Sequence, residues 1–114
     1  VPESFWMSYK VLSTATFQKD TKRLLKKYPS LKSDLLLLVQ SLETQPIQGI
    51  PLGNNLYKIR LSISSTGKGK SGGARVISLV KVIREEVFLV TIYTKSERSS
   101  ISKDDLERML SDLP

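Results

Sequence analysis

An α+β fold, with a helical hairpin packed on a mainly antiparallel twisted sheet in the order β-α-α-β-β-β-α, is predicted by three features of the sequence. Apolar residues recur at helical spacing between residues 17 and 42. Apolar and polar residues alternate strictly from Leu56 to Ser64. Two nearly apolar runs, Ala74 to Ile83 and Val87 to Thr94, then flank a short charged turn, as strands of a well-covered sheet do.

The elements follow in order. Ser8 to Leu12 reads as a short first strand running into threonines suited to capping a helix. Phe17, Thr21, Leu24, Leu25 and Tyr28 form the apolar stripe of that helix, with Lys19, Lys22, Arg23, Lys26 and Lys27 on the rest of its surface, and Pro29 ends it. Ser30 can cap a second helix carrying Leu31, Leu35, Leu38, Val39 and Leu42, which Gln45-Pro46 stops. A Tyr-Pro-Ser connection this short implies an antiparallel hairpin. Leu36 and Leu37 fall outside the stripe and leave apolar surface for a partner. The Pro, Gly and Asn content of Gln45 to Asn55 predicts a loop. The next strand, to Ser64, places Tyr57, Ile59, Leu61 and Ile63 on a core face and Lys58, Arg60, Ser62 and Ser64 on a wet, basic one. Thr66 to Gly73 is a Gly-Lys connection to the third strand, and Arg84-Glu85-Glu86 is the tight turn to the fourth. Ser102-Lys103-Asp104-Asp105 resembles a capping box opening a last helix with Leu106, Met109, Leu110 and Leu113.

Composition narrows the chemistry. The 114 residues suffice for one modest core, and the longest apolar run, Leu35 to Val39, is far below the roughly 20 residues needed to cross a bilayer. With no charged-then-apolar leader, a soluble, cytoplasmic protein is expected. Residues 1–7 read as an N-terminal extension or expression remnant before Met7-Ser8, and residues 8–114 as a single domain. The chain holds neither cysteine nor histidine, so disulfides, thiolate metal sites and the commonest general base are excluded. No cofactor is expected. Eighteen Lys and Arg against 11 Asp and Glu give a net charge of +7, which favours a polyanionic partner through counterion release. No helix joins a strongly basic face to exposed aromatics, which argues against a membrane surface.

Gly67-Lys68-Gly69-Lys70-Ser71-Gly72 formally matches a dinucleotide fingerprint, but a strand follows it where that fingerprint requires a helix. A phosphate-binding P-loop fails too, since Ser64 stands where its first glycine belongs. On general grounds Lys68 and Lys70 read as a solvated hairpin connection. Their neighbours add weight to a site. Lys58 and Arg60 share a strand face, Arg75 begins the adjacent strand, and Lys95 follows the last one, so consecutive pairing brings these cations together. Like charges so placed repel unless phosphates lie between them.

Tyr57-Lys58-Ile59-Arg60-Leu61, the block Gly67 to Ile77, and Ile92-Tyr93-Thr94-Lys95-Ser96-Glu97 resemble the RelE/ParE superfamily of toxins, and its HigB-like branch above all. The resemblance runs from about Met7 to Leu110 and implies a RelE-like fold. It also implies a metal-independent, ribosome-dependent messenger RNA endoribonuclease that inhibits translation, neutralised by a cognate antitoxin protein and meeting operator DNA only through the antitoxin complex. Carried over residue by residue, Lys58 and Arg60 fall on the family's two basic positions of the second strand, Arg75 on its phosphate-binding arginine and Lys95 on a basic residue after the last strand; Lys58, Arg60 and Arg75 are the expected catalytic residues, with Lys68, Lys70, Lys95 and Arg98 expected to contact RNA phosphates. Arg75 and Arg60 suit a phosphate clamp, because a guanidinium stays charged and bonds in a bidentate fork. Lys58, and secondarily Lys70 or Lys95, can act as base or acid where like-charge crowding brings a lysine towards neutrality. Ser96 stands where well-studied members have an arginine and Ser102 where they have a catalytic tyrosine, so the acid/base assignment stays open while the phosphate-binding half is intact. Two other readings share the scaffold: a ParE-like gyrase poison without nuclease activity, and a degenerate member that only binds antitoxin and operator DNA.

Overall fold

The structure, a computed structural model, describes residues 8–67, 69, 72–111 and 113. Its elements are β1 (Lys10–Ser13), α1 (Ala15–Leu25), α2 (Leu31–Thr44), β2 (Ile50–Gly53), β3 (Leu56–Leu61), a 3₁₀ turn (Ser64–Thr66), β4 (Ala74–Lys81), β5 (Glu86–Thr94) and α3 (Lys103–Leu110). The five strands form one sheet in the order β1-β5-β4-β3-β2, antiparallel except that β1 runs parallel to β5.

The α+β class and the helical hairpin on a mostly antiparallel sheet are as expected, with one strand more. Ile50–Gly53 lies in the segment read as loop, yet it pairs with Leu56–Lys58 as an edge strand. Its glycines and proline belong to that edge, where missing donors and sharp turns are tolerated. Asn54 and Asn55, both at positive φ, make the two-residue turn into β3. At its other end Gly49 passes so close to Lys58 that a Cβ there would stand 2.3 Å from the Lys58 carbonyl oxygen.

Boundaries differ for local reasons. Thr14 is the N-cap of α1: its hydroxyl accepts from the Phe17 amide at 3.0 Å and donates to the Val90 carbonyl at 2.8 Å, tying the helix to β5. α1 ends at Leu25 rather than at Tyr28, so five residues, not three, connect the helices. Ser30 occupies the N-cap of α2 but bonds Asp34 and Ser65 instead of the helix amides. β3 stops at Leu61, because Ser64 and Ser65 turn away to bond Asp34 and Ser30. β4 stops at Lys81, leaving Val82 and Ile83 exposed in the turn that Glu85 closes at positive φ.

The sheet separates two apolar layers. On one face Phe17, Leu24, Leu31, Leu35, Leu38 and Leu42 of the hairpin pack on Ile59, Val76, Val80, Val87, Leu89 and Ile92. On the other, Leu106 of α3 packs on Leu56, Ile77, Val90 and Tyr93. The β4–β5 ladder slips between Ile77 and Ser78, and the bulge gives Val90 to the α3 side while Thr91 turns to bond Asp20 of α1 at 2.7 Å. Lys58, Arg60 and Arg75 stand on this same α3 face of the sheet. No helix among the described residues is long and apolar enough to cross a membrane.

Candidate active site

Register builds the site. Arg60 of β3 lies opposite Arg75 of β4, and Arg75 lies opposite Tyr93 of β5, so the three side chains form one row across the α3 face of the sheet. Strands are about 4.8 Å apart, which leaves the side chains of such a row within reach of one group the size of a phosphate. Lys58, two residues before Arg60, stands on the same face opposite Ile77. Lys58, Arg60 and Arg75 thus share one face of the sheet.

They differ in environment. Arg60 is exposed, Lys58 is half-buried and Arg75 is only 7% exposed. Arg75 follows Gly73, which sits so tightly against β3 that a Cβ would meet the Leu61 carbonyl oxygen at 1.9 Å; only glycine lets the loop return to the sheet here. Glu86 is opposite Lys81 at the far end of the sheet and pairs with Arg84, and Glu97 pairs with Arg23.

The turn after β5 supplies a further cation. The amides of Glu97 and Arg98 donate to the Thr94 carbonyl, and the Thr94 amide donates to the Glu97 carboxylate at 3.0 Å. Arg23 of α1 holds that carboxylate from outside at 2.9 Å. This doubled-back turn sets the Arg98 guanidinium over the Tyr93 ring, 5.8 Å from its centre, while Asp105 of α3 holds the other side at 3.4 Å. Lys95 is exposed in the same turn, away from the row. Lys68 and Lys70 lie outside the described residues.

Both serines at the departures from the family pattern have structural work. Ser102 caps α3, accepting from the Asp105 amide at 3.1 Å, and Ser96 shares a 3.0 Å hydrogen bond with Thr94. Two residues not singled out from the sequence stand in the site instead. Tyr93 closes the row, and burial pushes its phenol above the ordinary tyrosine value while Arg75 and Arg98 act in the opposite direction. Lys103, at the start of α3, joins Lys58, Tyr93 and Asn54 around a cavity of about 390 Å³ whose apolar wall includes Leu56, Ile101 and Leu106. A wider groove of about 560 Å³ opens beyond the end of β2, between α2 and the Lys58–Ser62 segment.

Lys58, Arg60 and Arg75 on one sheet face, beside a partly apolar cavity, make a basic surface of the kind that suits a polyanion. The family model described as the RelE toxin of the RelE/RelB toxin-antitoxin system matches residues 9–111. The chain therefore belongs to the RelE toxin family: it is the toxin of a toxin–antitoxin pair, of the class that cleaves messenger RNA. Among solved structures, a mutant of the E. coli toxin RelE in the free state, with two arginines changed to alanine, shares the fold at 16% identity and a TM-score of 0.55. The match covers 94% of this chain and 99% of that one. The curated proteins gave no match.

Proposed function

We propose that this chain cleaves messenger RNA held on a ribosome, with the Arg60–Arg75 pair clamping the scissile phosphate and Lys58 beside it. The observation that supports this reading is the register itself, which pairs Arg60 with Arg75 across β3 and β4, with Lys58 two residues before Arg60 on the same face. The message's 2′-hydroxyl attacks the adjacent phosphorus, the bond from phosphorus to the 5′-oxygen breaks, and a 2′,3′-cyclic phosphate and a free 5′-hydroxyl result. Negative charge grows on the phosphoryl oxygens in the transition state, where fixed guanidinium donors act most strongly. Arginine does not exchange its proton, so within the clamp Lys58 is the group suited to take the proton of the 2′-hydroxyl. Lys95 and Arg98 reach flanking phosphates. The cognate antitoxin covers this face or the apolar surface at Leu36 and Leu37, which are 57% and 65% exposed.

The test is a translating extract to which the purified chain is added, with message ends mapped. Cuts inside codons, ending in cyclic phosphate and lost in Arg75→Lys, are expected. An intact message with inhibited DNA supercoiling would replace this reading by a gyrase poison, and an intact message with neither effect by a protein that binds antitoxin alone.

A further inference from the structure

In-line cleavage moves two protons: one leaves the 2′-hydroxyl and one joins the departing 5′-oxygen. Among the described residues the clamp offers one proton-exchanging side chain, Lys58, and the serines at positions 96 and 102 are engaged in the turn and the helix cap. Building on the nuclease reading above, we infer that Tyr93 is the general acid, donating its phenolic proton to the 5′-oxygen as the phosphorus–oxygen bond breaks.

Three observations support the assignment. Tyr93 is directly opposite Arg75 in the ladder, so a phosphate held by Arg75 lies next to the phenol. Its ring is fixed by Leu106 and Ile77 beneath and by the Arg98 guanidinium above, which aims the group without using its hydroxyl. Among the described residues that hydroxyl makes no hydrogen bond, and the residue borders the cavity shared with Lys58 and Lys103, from which a substrate oxygen can approach. The chemistry balances. The phenol gives its proton to the 5′-oxygen, which leaves as an alcohol; the phenolate left behind is stabilised by Arg75 and Arg98 and regains a proton from water before the next turnover. The phenol, raised by burial above the ordinary tyrosine value, is protonated at neutral pH as an acid must be, while the two arginines act in the opposite direction and ease its ionisation when the leaving group demands it.

The bland role for a tyrosine that is 4% exposed is to fill the small core under α3. Tyr93→Phe separates the two roles, since the ring and its packing remain and only an unbonded hydroxyl is lost. The variant should melt within a few degrees of the parent yet cleave a ribosome-bound message about a hundredfold or more slowly in a single turnover. The deciding measurement uses a message whose scissile 5′-oxygen is replaced by sulfur, a leaving group that departs without a proton. On that message the deficit of Tyr93→Phe should shrink to a few fold. Wild-type cleavage of the all-oxygen message by Tyr93→Phe, or an equal deficit on both messages, overturns the assignment. Should Tyr93→Phe fail to fold, Arg98→Met removes the counter-charge of the phenolate from outside the core. Measured in a single turnover at saturating ribosome complex, where its flanking phosphate contact does not enter, it should show a deficit of about tenfold on oxygen that sulfur abolishes, and an equal effect on both messages would again refute the acid. If the parent chain cuts neither message on any ribosome complex, the nuclease reading itself fails, a result distinct from either of these.

Discussion

Asp34→Ala should be among the most destabilising single changes in this protein, and its effect should fade in acid. Asp34 sits on α2 at 6% exposure. Its carboxylate accepts from the Ser64 amide at 2.9 Å, from the Ser64 hydroxyl, and from the Ser30 hydroxyl at 3.0 Å. Each hydrogen bond to a charged acceptor contributes about 1.5–3 kcal/mol, and the cost of burying the carboxylate offsets part of the sum. Truncation leaves the Ser64 amide and hydroxyl without an acceptor, so a net loss of about 3–4 kcal/mol is expected. At about 4 °C per kcal/mol for a chain of this size, the melting temperature should fall by about 12–16 °C. Burial opposes ionisation of Asp34, but the bonds from Ser64 and Ser30 outweigh it and hold the carboxyl below its ordinary value. A carboxyl lowered in the folded state stabilises above its unfolded pKa of about 4 and loses that contribution as pH falls through the folded value. The gap between wild type and Asp34→Ala should therefore be full at pH 7 and narrow below about pH 4. Circular-dichroism melts across pH 2.5–7 measure it. A difference under about 3 °C at pH 7, or one that stays constant into acid, would refute the argument.

Three further outcomes follow from the site. Arg75→Lys should retain the fold yet lose about a hundredfold in single-turnover cleavage, because an ammonium cannot reproduce the bidentate fork; melts paired with message cleavage check both halves. Cosedimentation with ribosomes should weaken steeply between low and high salt, since the contacts are chiefly cation to phosphate, and a flat salt series would exclude the basic face. Glu97→Ala should cost no more than about 1 kcal/mol as a half-exposed pair with Arg23, yet it should slow cleavage several fold by freeing the turn that carries Arg98; an unaltered rate would show that the turn holds its shape without the carboxylate.

The faces of β3 were legible from residues 56–61 alone, because burial of Ile59 and exposure of Arg60 follow from a period of two and from nothing further away. The convergence of Arg60 and Arg75 was legible as well, given consecutive antiparallel strands. β2 was not. Four exposed residues containing a proline and a glycine become a strand only because Leu56–Lys58 is there to receive them, and local pattern carries no record of that partner. Tyr93 was hidden for a different reason: in an apolar strand a tyrosine reads as core, and its place beside Arg75 depends on the ladder register past the Ile77 bulge. The same holds for Arg23 and Glu97, whose pairing spans most of the chain. Ser30 shows the converse, a residue whose local capping preference was overruled when Asp34 and Ser65 offered its hydroxyl other partners.

The parallel pairing of β1 with β5 bears on how the protein is made. Among the described residues β1 has β5, the last strand in chain order, as its sheet neighbour, and the Thr14–Val90 bond that locks them spans 76 residues. The helical hairpin can form early, but its apolar stripe lacks Val87, Leu89 and Ile92 to rest on until β5 has appeared. Closing so long a loop belongs to the slow class of folding steps. The row Arg60–Arg75–Tyr93 draws on the same strand, so it is incomplete until β5 has been made and paired with β4.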